Sequence, residues 1–166
     1  MVKKLYNPRG NYLRKYCLFI AFILIIVDQY TKSYLDQTIK YAERINIYSF
    51  FDLTIIYNWG AAFSILSNQN GWERYFFIVI GCFVCLVILK QFIYKQATNI
   101  ILFLSLTTIL AGTIGNMIDR IINGYVIDFL LFYYNDFFFP AFNFADVYIS
   151  FGTILLILSE VVNKKR

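Results

Sequence analysis

Residues 96–118 read QATNIILFLSLTTILAGTIGNMI, a stretch of 23 residues without a charged side chain. A helix needs about 20 mostly apolar residues to cross the roughly 30 Å of hydrocarbon in a bilayer, so this stretch is long enough to span a membrane alone. The whole chain has the matching composition: 60% of its 166 residues are hydrophobic, whereas soluble domains average about 45–50% apolar residues. The stretch therefore predicts a mainly α membrane protein.

Three further charge-free stretches bring the number of candidate spans to four. The stretch 75–89 reaches spanning length by including the next few residues. The other two, 16–27 and 147–159, are too short alone, so helix 1 must continue past Asp28 and helix 4 must begin near Asn143. We predict a single integral membrane domain, residues 1–166, with spans at about 13–33, 73–93, 97–118 and 144–162.

The charges are distributed unequally between the segments that flank these spans. Lysine and arginine concentrate at residues 1–15, 90–95 and 164–166, whereas every acidic residue except Glu160 lies in the intervening segments or at their edges. Four spans place the three basic segments on one side, which the positive-inside rule makes cytoplasmic. Both termini are therefore expected in the cytoplasm, and the net charge of +5 reflects topology, so we expect no nucleic-acid partner.

Two segments, 33–71 and 119–145, are expected on the outer side. The alternating, β-prone residues 45–57 in the first segment predict short strands, so a small β-rich element should lie on the outer face between helices 1 and 2. The second segment is rich in aromatic residues, which favour the headgroup level of a membrane. Both segments are expected to lie on the membrane surface.

Polar residues recur where the predicted helices meet this outer side. Asp128 lies in an apolar run without a basic neighbour, and thirteen uncharged residues follow Asp146. Ionisable groups at membrane depth normally face a cavity or a partner, and apolar surroundings raise the pKa of a carboxyl group. If the two carboxylates approach closely, they share one proton and can activate water, as in aspartic proteases.

This chemistry needs neither histidine nor a metal ion. The chain contains no histidine, which excludes Ser-His-Asp and Cys-His catalysis and most zinc sites. We therefore expect no cofactor and no metal ligands.

Simpler roles are open for the other polar residues at this level. Asp28 and Lys32 could form an ordinary i,i+4 ion pair, and Asn116 and Asn143 could only link helices. Asp119, beside an arginine, points to a different helix face from its neighbour and is interpreted as a solvated or structural charge.

In order and spacing, these motifs resemble the bacterial lipoprotein signal peptidases, also called signal peptidase II. The resemblance covers residues 28–152, and the matching stretches are 28–32, 57–64, 115–129 and 142–152. It implies a peptidase that removes the signal peptide from prolipoproteins by cutting before a cysteine that already carries diacylglycerol. It also implies a bacterial cytoplasmic (inner) membrane location, an active site near the outer leaflet and inhibition by globomycin.

By motif position, the resemblance implies that Asp128 and Asp146 are the catalytic pair. The implied supporting or substrate-binding residues are Asp28, Lys32, Asn58, Asn116, Arg120 and Asn143. The implied partners are diacylglyceryl-prolipoproteins, membrane lipids and globomycin-type inhibitors, and we expect a monomer. The chain departs from the family pattern in its phenylalanine-rich segment before Pro140.

Other functions predict different residues. A Ser-Lys protease would use Ser64 and Lys32. A small transporter would use the intramembrane acids as an ion path, but the polar residues cluster at one side. A non-catalytic scaffold would require the two aspartates to be incidental.

Overall fold

The computed structural model describes residues 8–60, 72–94 and 99–164. The helices and strands of the described residues follow one another in this order: α1 (Pro8–Thr38), β1 (Arg44–Tyr48), β2 (Phe51–Asn58), α2 (Trp72–Tyr94), α3 (Ile100–Ile122), β3 (Val126–Tyr134), β4 (Phe137–Phe138) and α4 (Phe144–Lys164).

Four of the described helices are long and apolar enough to cross a membrane. Their spanning segments are Tyr12–Thr38, Trp72–Tyr94, Ile100–Ile122 and Phe144–Val162. Helix α1 runs uninterrupted past Asp28, and α4 begins directly after Asn143. The predicted class, a mainly α membrane protein with four transmembrane helices, is confirmed.

Helix α3 is the central helix of the bundle, because it packs against α1, α2 and α4. In its most apolar window 56% of the residues are buried, compared with 17% in each of the other three helices. Glycines allow α4 to approach it closely: a Cβ atom added at Gly112 would collide with the carbonyl oxygen of Ala145. Small residues serve this purpose in membrane bundles, where close backbone packing stabilises helix association.

The four strands form one antiparallel sheet in the order β1-β2-β3-β4. Strands β1 and β2 confirm the predicted β-rich element between helices 1 and 2. The sheet also takes two strands from the segment between α3 and α4, for which we predicted only a position on the membrane surface. Beneath the sheet, buried apolar residues pack together near the end of α1: Ile39, Ile55, Ile127 and Phe129. We refer to this end of the helix bundle as the sheet end.

The pairing of β2 with β3 is irregular close to the polar residues. Ile56 pairs with Asp128, and the register shifts between Leu53 and Ile56. Such bulges bend a strand and redirect its side chains, and they are frequent beside active sites.

Candidate active site

Asp128 lies on β3 with its carboxylate almost completely buried. Each oxygen accepts one amide hydrogen bond: Asn143 Nδ2 donates to Oδ1 at 2.6 Å, and Asn58 Nδ2 donates to Oδ2 at 2.9 Å. The Asn58 amide is itself oriented, because its Oδ1 accepts a hydrogen bond from the backbone N–H of Gly60 at 2.9 Å. Its NH₂ group is therefore directed at Asp128.

Burial raises the pKa of Asp128 to about 6, and the negative charge of Asp146 adds to this rise. The hydrogen bonds from Asn58 and Asn143 and the positive charge of Lys32 oppose it. Burial disfavours the charged form of a carboxyl group, which is why it dominates here. The raised pKa expected for Asp128 from its apolar surroundings in the sequence is confirmed.

Asp146 lies in the first turn of α4, where Asn143 caps the helix. Asn143 Oδ1 accepts from the backbone N–H of Asp146 at 3.0 Å, and Asp146 Oδ2 accepts from the backbone N–H of Asn143 at 3.3 Å. This reciprocal pair follows the geometry of a capping box. Asn143 therefore contacts both carboxylates, Asp146 through the cap and Asp128 through its NH₂ group.

The second carboxylate oxygen of Asp146 is held from α3. Asn116 Nδ2 donates to Asp146 Oδ1 at 2.7 Å. On the other side of the same amide, Asn116 Oδ1 accepts from Lys32 Nζ at 3.1 Å. Because an ammonium group can only donate, Lys32 fixes the orientation in which the Asn116 NH₂ group faces Asp146.

Lys32 is the centre of a buried polar cluster. Only 1% of its side chain is exposed, and its Nζ lies 2.9 Å from Asp28 Oδ2 and 2.9 Å from Asp119 Oδ2. The i,i+4 ion pair with Asp28 is therefore present as one part of a three-way contact that also includes Asp119 and Asn116. A buried ammonium group with three acceptors satisfies its donors within the protein, as burial of a charge requires.

Both carboxylates of this cluster also bind backbone groups next to the two aspartates of the site. Asp28 Oδ1 accepts from the N–H of Ala145, the residue before Asp146, at 2.9 Å. Asp119 Oδ2 accepts from the N–H of Ile127, the residue before Asp128, at 3.3 Å. The cluster around Lys32 thus holds the backbone immediately before each of the two aspartates.

Of the two interpretations given for Asp119, a solvated or a structural charge, the structure supports the second. Asp119 is buried and paired with Lys32, and Gln29 Nε2 donates to its Oδ1 at 3.0 Å. That Asp119 and Arg120 point to different helix faces does not place Asp119 in solvent. Asp119 follows Asn116 by three residues, and helix residues at i and i+3 share a face. That spacing was the available signal for Asp119, whereas Gln29 lies within the matching stretch 28–32 but was not identified as a site residue.

Arg120 lies at the edge of the site. Its Nη1 donates to the backbone carbonyl of Asn116 at 3.2 Å, and its guanidinium group lies 4.8 Å from the ring centroid of Phe77. Within the described parts of the chain, the ion pairs do not include Arg120. All of the site residues identified from the sequence therefore lie together at the sheet end, while Ser64 falls outside the described residues.

A profile described as Signal peptidase (SPase) II matches residues 20–162, which is most of the chain. The chain belongs to the signal peptidase II family. Membership of the signal peptidase II family makes it a peptidase, and its four apolar helices make it a multi-pass membrane protein.

Individual members of the signal peptidase II family are similar over nearly their whole length. A lipoprotein signal peptidase of Neisseria meningitidis serogroup C (strain 053442) is 41% identical over 147 residues, which cover 88% of this chain and 89% of the relative. The lipoprotein signal peptidase of Pseudoalteromonas atlantica is 38% identical and covers 89% and 90%. A bacterial membrane enzyme solved by the in meso method at 2.3 Å resolution superimposes with a TM-score of 0.80, at 30% identity and 90% coverage of each chain.

Proposed function

We propose that this protein removes the signal peptide from diacylglyceryl-modified prolipoproteins, and that Asp128 and Asp146 form an aspartic dyad that cleaves before the lipidated cysteine. Two observations support the proposal: relatives that span the same length are lipoprotein signal peptidases, and Asn143 hydrogen-bonds both carboxylates. The second observation carries the mechanism, because one residue that donates to both carboxylates, to Asp128 from its side chain and to Asp146 from its backbone N–H, puts them in one site.

In the proposed reaction, the dyad holds one shared proton. The ionised carboxylate accepts a proton from water as the water oxygen attacks the scissile carbonyl carbon, and the protonated member donates to the carbonyl oxygen. Collapse of the tetrahedral intermediate breaks the C–N bond, and the dyad returns a proton to the leaving amine. Asp128, whose pKa is raised to about 6 by burial, suits the role of holding the shared proton, since a bound substrate would bury it further.

The surrounding residues are proposed to position this dyad. The side-chain amides of Asn58, Asn116 and Asn143 direct their N–H groups at its carboxylates. Such preorganised donors hold acidic groups in place without reorganisation during the reaction. Asp28 and Lys32 would act one step further away, through the backbone of α4 and through Asn116. Arg120 is proposed to bind a carbonyl or carboxylate group of the substrate, because its guanidinium group presents several N–H donors in a planar fork.

The sheet end is proposed to lie at the outer leaflet of the bacterial inner membrane, with both termini in the cytoplasm. The basic segments at residues 1–15, 90–95 and 164–166 support this orientation through the positive-inside rule. Substrates, membrane lipids and globomycin-type inhibitors would then reach the dyad from the membrane. A monomer suffices in this proposal, because the dyad is assembled within one chain.

The Ser-Lys alternative is weaker because of the position of Lys32. A general-base lysine must be neutral and must face its serine, whereas Lys32 is ion-paired with both Asp28 and Asp119.

The decisive experiment measures cleavage of a purified diacylglyceryl-modified prolipoprotein by the wild type, Asp128→Asn and Asp146→Asn. Each substitution should reduce kcat by at least about 100-fold, because loss of an acid–base group typically costs 10²–10⁴ in rate. Asp136→Asn is the matched control, since Asp136 is exposed in the turn between β3 and β4. Normal turnover by either dyad variant, or equal loss in the control, would refute the assignment.

A further inference from the structure

A groove runs along the side of the bundle between α2, α3 and α4. A cavity of about 380 Å³ is lined mainly by aliphatic side chains, including Val87 and Leu106, with Gln91 and Glu160 as its polar members. A second cavity, of about 360 Å³, includes Asn116 and Arg120. Val84 and Ile109 line both cavities, so the two lie next to each other along the same three helices, and we refer to them together as the groove.

The groove exists because, among the described helices, α2 packs extensively only against α3. Helix α2 packs along α3 but scarcely contacts α4. The wall of the groove is therefore open toward the side of the bundle, where lipid or another apolar helix can enter. Several of the α2 residues that line it are also partly exposed, Val87 to 42%.

The two ends of the groove differ in chemistry. At the sheet end it reaches Asn116, whose NH₂ group holds Asp146, and Arg120. At the opposite end it reaches Gln91 and Glu160. Leu102 and Arg120 line opposite ends of the groove on α3, and a rise of 1.5 Å per residue separates them by about 27 Å. An apolar helix lying in the groove would thus cross most of the hydrocarbon and present its end to the dyad.

Glu160 is out of place in the charge distribution. It is the one acidic residue on the side of the chain whose flanking segments carry the lysines and arginines, and it lies at the end of a cavity whose lining is mainly aliphatic. An occupant that complements this groove is an apolar helix with a cation at the end near Glu160. A signal peptide has this pattern, since a positively charged n-region precedes its apolar h-region.

We propose that this groove binds the apolar helix of the substrate's signal peptide, and that Glu160 pairs with a lysine or arginine of the n-region. The inference rests on the proposed function, which supplies the substrate, and extends it to how the substrate is aligned. A phospholipid is a poorer occupant, because its phosphate would meet the carboxylate of Glu160 at that end. Glu160 therefore recognises the charge at the n-region end of the signal peptide, while the dyad cleaves at the other end.

A charge exchange tests the pairing. Two lipidated prolipoproteins that differ only in an n-region Lys-Lys or Glu-Glu pair are cleaved in detergent micelles, where membrane insertion cannot influence the result. We expect the wild type to favour the Lys-Lys substrate about threefold to fivefold in kcat/KM, the size of effect that an ion pair at a hydrated end produces. The preference should disappear in Glu160→Gln and reverse in Glu160→Lys, with the change in KM.

Lys90→Gln is the matched control for the charge exchange. Lys90 is exposed beside Gln91 but does not line the groove. If the preference came from the overall electrostatic potential at the end of the bundle opposite the sheet end, Lys90→Gln would shift the preference as strongly as Glu160→Gln, in the opposite direction. That result, or an unchanged preference in Glu160→Lys, would overturn the proposed pairing.

Filling the groove tests the binding of the helix itself. Val87→Trp should raise KM several-fold with kcat little changed, because the indole would occupy space that the substrate needs. Val79→Trp is the control on the same helix, since Val79 is 67% exposed and lines neither cavity. Equal KM values for the two variants would refute binding of the substrate helix in the groove. Failure of the proposed function is distinguishable, because the wild type would then show no dyad-dependent cleavage of either substrate.

Discussion

Asn143 offers the sharpest test of the site, because its two amide atoms have separable functions. Its Oδ1 caps α4 by accepting from the N–H of Asp146, and its Nδ2 donates to Asp128. Serine is about as good an N-cap as asparagine, but its side chain is too short to reach Asp128. Asn143→Ser should therefore keep the helix cap and remove only the hydrogen bond to Asp128.

The size of the effect follows from that one hydrogen bond. A hydrogen bond to a charged group contributes about 1.5–3 kcal/mol, which corresponds to about a 10-fold to 100-fold loss of kcat if the bond is kept in the transition state. The hydrogen bond from Asn143 also lowers the pKa of Asp128, which burial has raised to about 6. Its removal should raise that pKa further and, because Asp128 is proposed to hold the shared proton, move the alkaline limb of the kcat profile to higher pH.

The assay compares Asn143→Ser with Asn143→Ala, using prolipoprotein cleavage across pH and thermal unfolding in detergent. Both variants lose the contact with Asp128 and should lose similar activity, whereas only the alanine variant also loses the cap, at a cost of about 1 kcal/mol in stability. Wild-type kcat with an unmoved alkaline limb in Asn143→Ser would show that the hydrogen bond from Asn143 does not position Asp128.

Two further predictions concern stability. Lys32→Met should lower the free energy of unfolding by about 3–5 kcal/mol, because it leaves the buried carboxylates of Asp28 and Asp119 without their cation. The control is Lys40→Met at an exposed position, which should change the free energy of unfolding by less than about 0.5 kcal/mol. Equal effects of the two substitutions would contradict the prediction. The folded-state pKa of Asp128 is about 6, above its ordinary 3.8. Between these two pH values the folded protein binds a proton that the unfolded chain does not. The free energy of unfolding should therefore rise as pH falls from about 7 toward 5. Thermal unfolding across this range should show the rise in the wild type and a smaller one in Asp128→Asn, whereas equal slopes would exclude Asp128 as its source.

The features that follow from local sequence were predictable. Uncharged stretches identify spans because the bilayer imposes a length and an apolar composition on each helix. The alternation in residues 45–57 identified two strands. The site residues chosen by motif position do lie together, although their roles stay a prediction.

The remaining features depend on partners distant in the chain. Strand β3 pairs with β2 across some 70 residues, and its run VIDFLLFYY lacks the alternation that marks a half-buried strand because four consecutive residues are buried. Asp119 lies next to Lys32 only after α1 and α3 have packed. The side-chain cap on α4 was visible as an asparagine three residues before Asp146, but its second contact with Asp128 required the sheet.

The order of these elements along the chain has a consequence for biosynthesis. Asp28 enters with the first helix, yet its partner Ala145 follows 117 residues later, in the helix that also carries Asp146. Until then Lys32, four residues away, is the partner that shields this carboxylate while α1 enters the lipid. The proposed dyad is consequently incomplete in a nascent chain until α4 has been inserted, and we expect the peptidase to be inactive until that point.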